Sequence, residues 1–227
     1  SDLDFCFRIA LLGGDVGQYE RMDKVLAAAG FAPVNKEGKP ESWRWRRKGA
    51  VPLTVEFLCP AAPGSEAGHH YRPGGPIAGK LSALTIKTGA LIDRDITEVE
   101  RFVALPDKGG EINHRFAVAG PASWIAAKVD ALHGRKKNKD AYDLVWLIEA
   151  WPGGQTELAK TICASAVWGD ALMDDALQRL ASAFESHNSV GTVEYADFMF
   201  EPGGDRTLLE NQATGAVRAL IEALDIN

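Results

Sequence analysis

"RWRRKGAVPLTVEFLCP", Arg44 to Pro60, reads as two strands joined by a short turn at Gly49-Ala50. Pro52 stands close to the start of the second strand, where its missing N–H does least harm. The pair predicts a hairpin. Within "TVEFL", Val55 and Phe57 face one side, and Thr54, Glu56 and Leu58 face the other. An acid inside an otherwise apolar strand is costly unless it is paired or bound to a metal. Two readings of Glu56 stay open: a metal ligand, or a half-exposed strand residue paired with an arginine.

Toward the N-terminus, "DLDFCFRIALL" is an apolar run with two acids near its start, consistent with a further strand that ends at Gly13-Gly14. Asp2 and Asp4 are two apart, so in a strand they point to one face. Like charges that close repel, and a divalent cation removes the repulsion. Mg²⁺ (or Mn²⁺) accepts one or two carboxylates plus substrate phosphates, so Asp2 and Asp4 read as a metal–nucleotide anchor. If the 51–58 strand lies beside the first, Glu56 meets Asp2 and Asp4, and three carboxylates face two metal ions. Between these strands, "GQYERMDKVLAAAGF" carries helical spacing at Tyr19, Met22, Val25 and Leu26, with Gly30 as its stop.

Toward the C-terminus, residues 60 to 80 are rich in Gly and Pro and predict a long loop holding His69 and His70 on the surface. Residues 81 to 118 read as short strands with turns at Gly89, Asp107 and Gly109-Gly110; Asp93 and Asp95 read as a polar turn. From Gly120 the chain turns helical. Pro121 suits a first helical turn, and "ASWIAAKVDALHG" stops at Gly134. Asn138 is placed to cap "KDAYDLVWLIEAW", which ends before Pro152-Gly153. Further helices are expected near 155–168, 170–187 and 206–224. The shift at 119 divides the chain into an α/β part, 1–118, and a helical part, 119–227.

The chain has 227 residues, 46% hydrophobic and 25% charged, ordinary for a soluble globular protein. Cys6, Cys59 and Cys163 are far apart and in no metal spacing; they read as buried small hydrophobes in a reducing cytoplasm. No apolar run reaches the length of a membrane span, so no membrane partner is expected. No signal peptide is visible, and the N-terminus reads as incomplete. The net charge of −6 argues against a generally basic nucleic-acid binder. Yet eight of the 25 Lys and Arg residues stand in two clusters, Arg44, Arg46, Arg47 and Lys48, and Arg135, Lys136, Lys137 and Lys139. Each cluster is either a local basic groove or a solvated face.

The second candidate site is "KVDALHGRKKNKDAYDL". Asp140 and Asp143 are three apart on one helix and share a face with Leu144 and Leu147. Two acids on a core-facing stripe need partners, and Lys128, Lys137 or Lys139 can supply them. Asp140 also suits the first turn of a helix, and a plain interhelix salt bridge is the competing explanation.

"SDLDF", "TVEFL" and "KVDALHGRKKNKDAYDL" together resemble the AbiEii/MenT-type nucleotidyltransferase toxins of bacterial toxin–antitoxin systems. The resemblance spans roughly residues 1 to 150. It rests on Asp2 and Asp4, then Glu56, Lys128 and the Lys139-Asp140-Ala141-Tyr142-Asp143-Leu144 run. Two departures stand out. The third acid is Glu where Asp is more usual, and the family's Gly-Ser segment would lie upstream of Asp2; Gly13-Gly14 are on the wrong side to replace it. The resemblance implies an α+β fold: a nucleotidyltransferase-like mixed sheet with flanking helices over 1–118, its N-terminal part missing, and a helical domain over 119–227 that contributes to the active site.

The resemblance also implies a reaction, transfer of a nucleoside monophosphate from an NTP to the 3′ end of tRNA, and a cognate antitoxin. Asp2 and Asp4 would hold Mg²⁺ on the triphosphate, with Glu56 as accessory ligand or base. Lys128 would neutralise triphosphate charge, Asp143 would orient Lys128 or touch the nucleotide, and Asp140 would support the helix start. The clusters 44–48 and 135–139 would contact acceptor phosphates, with Trp43 and Trp45 available for stacking. Three other readings compete: a small-molecule nucleotidyltransferase of the antibiotic-modifying kind, a catalytically inactive nucleotidyltransferase-fold binding module, and an α+β domain whose acids all serve structural salt bridges.

Overall fold

The computed structural model describes the backbone of residues 2–6, 16–36, 39–49, 52–62, 66–71, 81–105, 109–135 and 137–225. Side chains are described for 22–35, 41–49 and the later stretches from 52 onward. The protein is mixed α+β, and it divides into two compact units, residues 1–90 and 91–227.

The first unit is a mixed six-stranded sheet built around one strand. Its elements are β1 (Asp2–Cys6), α1 (Val16–Ala28), β2 (Phe31–Lys36), β3 (Lys39–Arg47), β4 (Leu53–Pro60), β5 (His70–Tyr71) and β6 (Ala83–Ile86). β2, β3 and β4 form an antiparallel meander, so the predicted Arg44–Pro60 hairpin is present. β1 and β6 each run parallel to β4, and β5 pairs antiparallel with β6. β4 is therefore the shared strand, and its alternation explains why. Val55, Phe57 and Cys59 are buried, while Thr54, Glu56 and Leu58 on the other face are half-buried. The buried face joins Trp45, Leu81 and Ala83, with Met22 and Leu26 of α1 packed against it. Each large side chain buried there contributes about 1.5–3 kcal/mol. Val25, expected on the same helical stripe, is exposed instead. Gly30 adopts a left-handed φ of 80°, the glycine stop expected after α1.

Cys59 is buried, and burial pushes its thiol up to about 11. Cys163, in the second unit, is exposed, against the expectation of burial; it is the last residue of its helix. The side chain of Cys6, Gly13-Gly14 and most of the 60–80 loop's second half lie outside the described residues.

A short helix, α2 (Gly89–Ile92), straddles the 90/91 division, and the second unit continues with a two-stranded antiparallel ribbon, β7 (Ile96–Ala104) with β8 (Glu111–Ala119). Helices follow: α3 (Pro121–Gly134), α4 (Asn138–Ala150), α5 (Gly154–Cys163), α6 (Ala171–Ala183), α7 (Val190–Met199) and α8 (Arg206–Ala223). Their apolar faces enclose one core that includes Ile125, Val129, Leu144, Ile148, Leu158, Leu177 and Leu220. Helix α7 was not foreseen. It carries no clear polar face, so periodicity gives it little signal. Among the described residues no helix is long and apolar enough to cross a membrane.

The compositional boundary at 119 coincides with the start of α3, but the compact unit begins earlier, at Leu91. The cause is Asp95, read from sequence as a polar turn and in fact buried. Gly120 N–H donates to the Asp95 carbonyl at 2.7 Å. The Asp95 carboxylate accepts from Ser123 N–H at 2.7 Å and from the Ser165 hydroxyl at 2.6 Å. Ser123 lies in the first turn of α3, whose own N-cap, Gly120, has no side chain to offer. A carboxylate from 28 residues upstream therefore does the capping, and it meets the positive end of the helix dipole. The approach is close: a Cβ on Gly120 would lie 2.5 Å from that carboxylate.

Asp95→Ala leaves the α3 terminus and Ser165 without their acceptor and lowers unfolding free energy in urea titrations by about 1–3 kcal/mol. Gly120→Ala destabilises through the clash. Unchanged denaturation midpoints in both variants would show that this contact does not hold the ribbon to the helices.

Candidate active site

The candidate residues fall in two groups, one in each compact unit. In the first unit, pairing places Asp4 level with Glu56 and Asp2 level with Thr54. On the other side of β4, Arg44 is level with Glu56. The condition set by the sequence, that the Glu56 strand lie beside the first, is met. The side chains of Asp2 and Asp4 lie outside the described residues. That of Glu56 is mostly buried and accepts from Arg44 Nε at 2.7 Å. The open alternative for Glu56, pairing with an arginine, is thus what the structure contains. Aspartate and glutamate oxygens suit a hard cation such as Mg²⁺. Glu56 joins such a site only by giving up its bond from Arg44. Among the described residues no group of three or more His, Cys, Asp or Glu side chains is placed to hold a metal.

The basic cluster at the end of β3 divides into one paired arginine and three exposed cations. Arg44 is spent on Glu56 and, at 3.7 Å, on Glu41, and its guanidinium lies 4.3 Å over the Trp43 ring. Arg46, Arg47 and Lys48 are exposed, Arg47 lying 5.3 Å over the Phe31 ring. Trp43 and Trp45 are buried, and Trp45 Nε1 donates to the Ser42 carbonyl at 2.9 Å. The tryptophans are therefore not available to stack on a nucleic-acid base; they face the core because they alternate with the arginines.

In the second unit, α3 supplies Lys128 and α4 supplies Asp140 and Asp143. Lys128 Nζ donates to Asp143 Oδ2 at 2.6 Å and to Asp140 Oδ1 at 3.3 Å. Arg135, in the turn between the helices, grips Asp140 with two parallel bonds, Nε to Oδ2 at 2.9 Å and a terminal nitrogen to Oδ1 at 3.0 Å. Lys139 reaches both oxygens of Asp143, at 2.9 and 2.8 Å. Asp140 is 2% exposed and Lys128 18%, so these charges sit where water screens little. Burial by itself raises the Asp140 carboxyl; the Arg135 bonds and charge, followed by Lys128, outweigh it and hold the group below the ordinary carboxylate value. The expected face is present in part: Asp140 and Leu144 are buried, Asp143 and Leu147 are half-buried, and the buried stripe continues through Val145 and Ile148.

One expectation for this region needs correction. Asn138 does not cap α4; Lys137 is the cap residue, and no side-chain bond caps the helix. The acid in the first turn, Asp140, answers the dipole instead. Arg135 and Lys139 pair with aspartates while remaining exposed, Lys137 is exposed as well, and Lys136 lies outside the described residues. Sequence reading also missed Arg135 as the main partner of Asp140. The signal was its position directly after the Gly134 stop, where the chain turns toward the next helix start.

Comparison with protein-family models, with curated proteins and with solved structures finds no match to this chain.

Asp140's folded-state value is lowered, so its contribution to stability is complete above the unfolded value, about 3.9, and is lost as pH falls through the folded one. At pH 6, Asp140→Ala lowers unfolding free energy by about 2–4 kcal/mol, since it leaves Arg135 and half-buried Lys128 short of a counter-charge. Below that window the wild type loses the same contribution. The gap between the two proteins therefore narrows on acidification, as denaturant titrations at pH 6 and pH 3 would show. A gap that is constant with pH contradicts the charged network.

Proposed function

We propose that this protein is a Mg²⁺-dependent nucleotidyltransferase that moves a nucleoside monophosphate from an NTP to an acceptor. The observation that carries the reading is the β1–β4 register, which sets the Asp-x-Asp strand beside the strand of the third acid, with Asp4 level with Glu56. A second support is Lys128, fixed between two aspartates with its ammonium placed by both. Transfer of this kind needs positioning and charge neutralisation more than covalent help.

In this reading a bound Mg²⁺ neutralises the triphosphate and aligns it for attack. Asp2 and Asp4 hold the metal, and Glu56 assists as ligand or base. Lys128 offsets negative charge on the phosphates, Asp143 orients Lys128, and Asp140 keeps the start of α4 in place through Arg135. The exposed cations Arg46, Arg47, Lys48, Arg135, Lys137 and Lys139 would meet acceptor phosphates. The acceptor we propose is the 3′ end of tRNA, and the biological role a growth-arresting toxin restrained by an antitoxin protein. One observation favours a second reading, a catalytically inactive binding module: the Glu56 carboxylate already has a matched cation in Arg44.

The deciding experiment incubates the protein with Mg²⁺, total tRNA and each α-³²P-labelled NTP in turn, beside an Asp2→Ala/Asp4→Ala variant. Label on RNA with wild type alone supports the reading and names the nucleotide. Label on small acceptors and never on RNA points to a small-molecule nucleotidyltransferase; no label with any NTP points to the binding module.

Removing Lys128 leaves Asp140 with Arg135 and Asp143 with Lys139, so Lys128→Ala stays folded. Lys128→Ala and Asp4→Ala each lower transfer by about 3–4 kcal/mol of transition-state stabilisation, a few hundredfold or more, as expected for loss of one preorganised electrostatic group. Near-normal transfer in either variant, measured as initial rate of label incorporation, contradicts the assignment of that residue.

A further inference from the structure

Three neighbouring strands put Asp4, Glu56 and Arg44 in one row across the sheet. Asp4 is level with Glu56 in the parallel β1–β4 pair, and Arg44 is level with Glu56 in the antiparallel β3–β4 pair. Residues level with one another on neighbouring strands share a face. Two acids in adjacent registers repel unless a cation balances them.

The described cation in this row is Arg44. Its Nε donates to Glu56 Oε1 at 2.7 Å, and its guanidinium lies 4.3 Å over the ring of buried Trp43. The Arg44 side chain is 27% exposed, so one side of the guanidinium opens to solvent while Trp43 backs the other. A carboxylate oxygen bonded to a guanidinium N–H is using the lone pair that a metal ion would take. The two cations compete for Glu56.

We propose that Arg44 is a placeholder cation: it neutralises Glu56 in the metal-free protein and releases that carboxylate when a divalent metal binds beside Asp4. This rests on the nucleotidyltransferase reading and adds a control to it. A free metal ion must displace Arg44 from Glu56 and leave it the longer contact with Glu41, at 3.7 Å. A metal–triphosphate supplies a cation for the carboxylate and, in the same ligand, phosphate oxygens that suit the planar guanidinium fork. Metal and triphosphate therefore bind cooperatively, and Arg44 is the positioning residue that couples them.

The test follows free Mn²⁺ by electron paramagnetic resonance during titration of the full chain, with and without inorganic tripolyphosphate. Wild type is compared with Arg44→Ala, Arg44→Lys, Arg44→Ala/Glu56→Gln and Asp2→Ala/Asp4→Ala, each checked for folding by circular dichroism. Without tripolyphosphate, Arg44→Ala binds Mn²⁺ about fivefold or more tighter than wild type, the size of effect expected for removing a competing half-buried charge pair. Arg44→Lys, which keeps a cation but loses the fork, falls between them and carries the test if Arg44→Ala does not fold. The gain disappears in Arg44→Ala/Glu56→Gln. Tripolyphosphate tightens Mn²⁺ binding in wild type more than in Arg44→Ala. Equal or weaker Mn²⁺ binding by both Arg44 variants overturns the placeholder role and leaves an ordinary cross-strand ion pair. No Mn²⁺ binding by wild type, or binding unaffected in Asp2→Ala/Asp4→Ala, overturns the nucleotidyltransferase reading itself, and the placeholder with it.

Discussion

A carboxylate that stays charged while almost wholly out of water sets the strictest condition in this molecule. Asp140 lies in the first turn of α4 with 2% of its side chain exposed. Leaving such a charge unpaired costs several kcal/mol. The chain meets the condition locally. The turn after Gly134 delivers Arg135 as a two-pronged donor, and α3 delivers Lys128 from the facing side. Both helices are thereby fixed in register, because a shift by one residue would carry Lys128 or Asp140 off the shared face. The same arrangement positions Asp143 against Lys128, so the structural condition and the proposed catalytic geometry are one network.

Two other acids solve the same problem by different means. Asp95 has no cation on its carboxylate in the described contacts; it uses the N-terminus of α3 and the Ser165 hydroxyl, so helix dipole and hydrogen bonds replace charge. Glu56 uses a cross-strand arginine. The difference has functional weight. Asp95 and Asp140 are enclosed by contacts that hold helices together, whereas Glu56 is bonded to Arg44, a partly exposed side chain of the neighbouring strand.

Much of this was legible in local sequence. The Arg44–Pro60 hairpin, the division of Val55 and Phe57 from Glu56, the Gly30 stop, Pro121 at the start of α3 and the Lys128–Asp140–Asp143 grouping all follow from periods of two and 3.6 residues. What escaped was set by contacts remote in sequence or by a face assignment not carried through. Asp95 could not be paired with Ser123 and Ser165 by spacing, because the contacts span 28 and 70 residues. The tryptophans of "RWRRK" and its flank alternate with arginines, so one set had to enter the core; reading the stretch as one basic, aromatic cluster overlooked its own alternation. Arg135 and Lys139 read as one basic cluster, although Asp143 follows Lys139 by four residues on the helix, a spacing at which side chains meet, and Asp140 follows Arg135 by five across the turn. The Asp-x-Asp strand was legible as a strand, and its neighbour only as a condition; the pairing with β4 is tertiary information.

The central proposal is that the carboxylates of the β1–β4 row hold the metal ion of a bound NTP. A crystal of the protein grown with Mn²⁺ and a non-hydrolysable NTP analogue tests this most directly, because manganese is located independently by its anomalous scattering. The account predicts an anomalous peak coordinated by Asp2 and Asp4 and by triphosphate oxygens. Manganese or triphosphate bound away from Asp2 and Asp4 would contradict it.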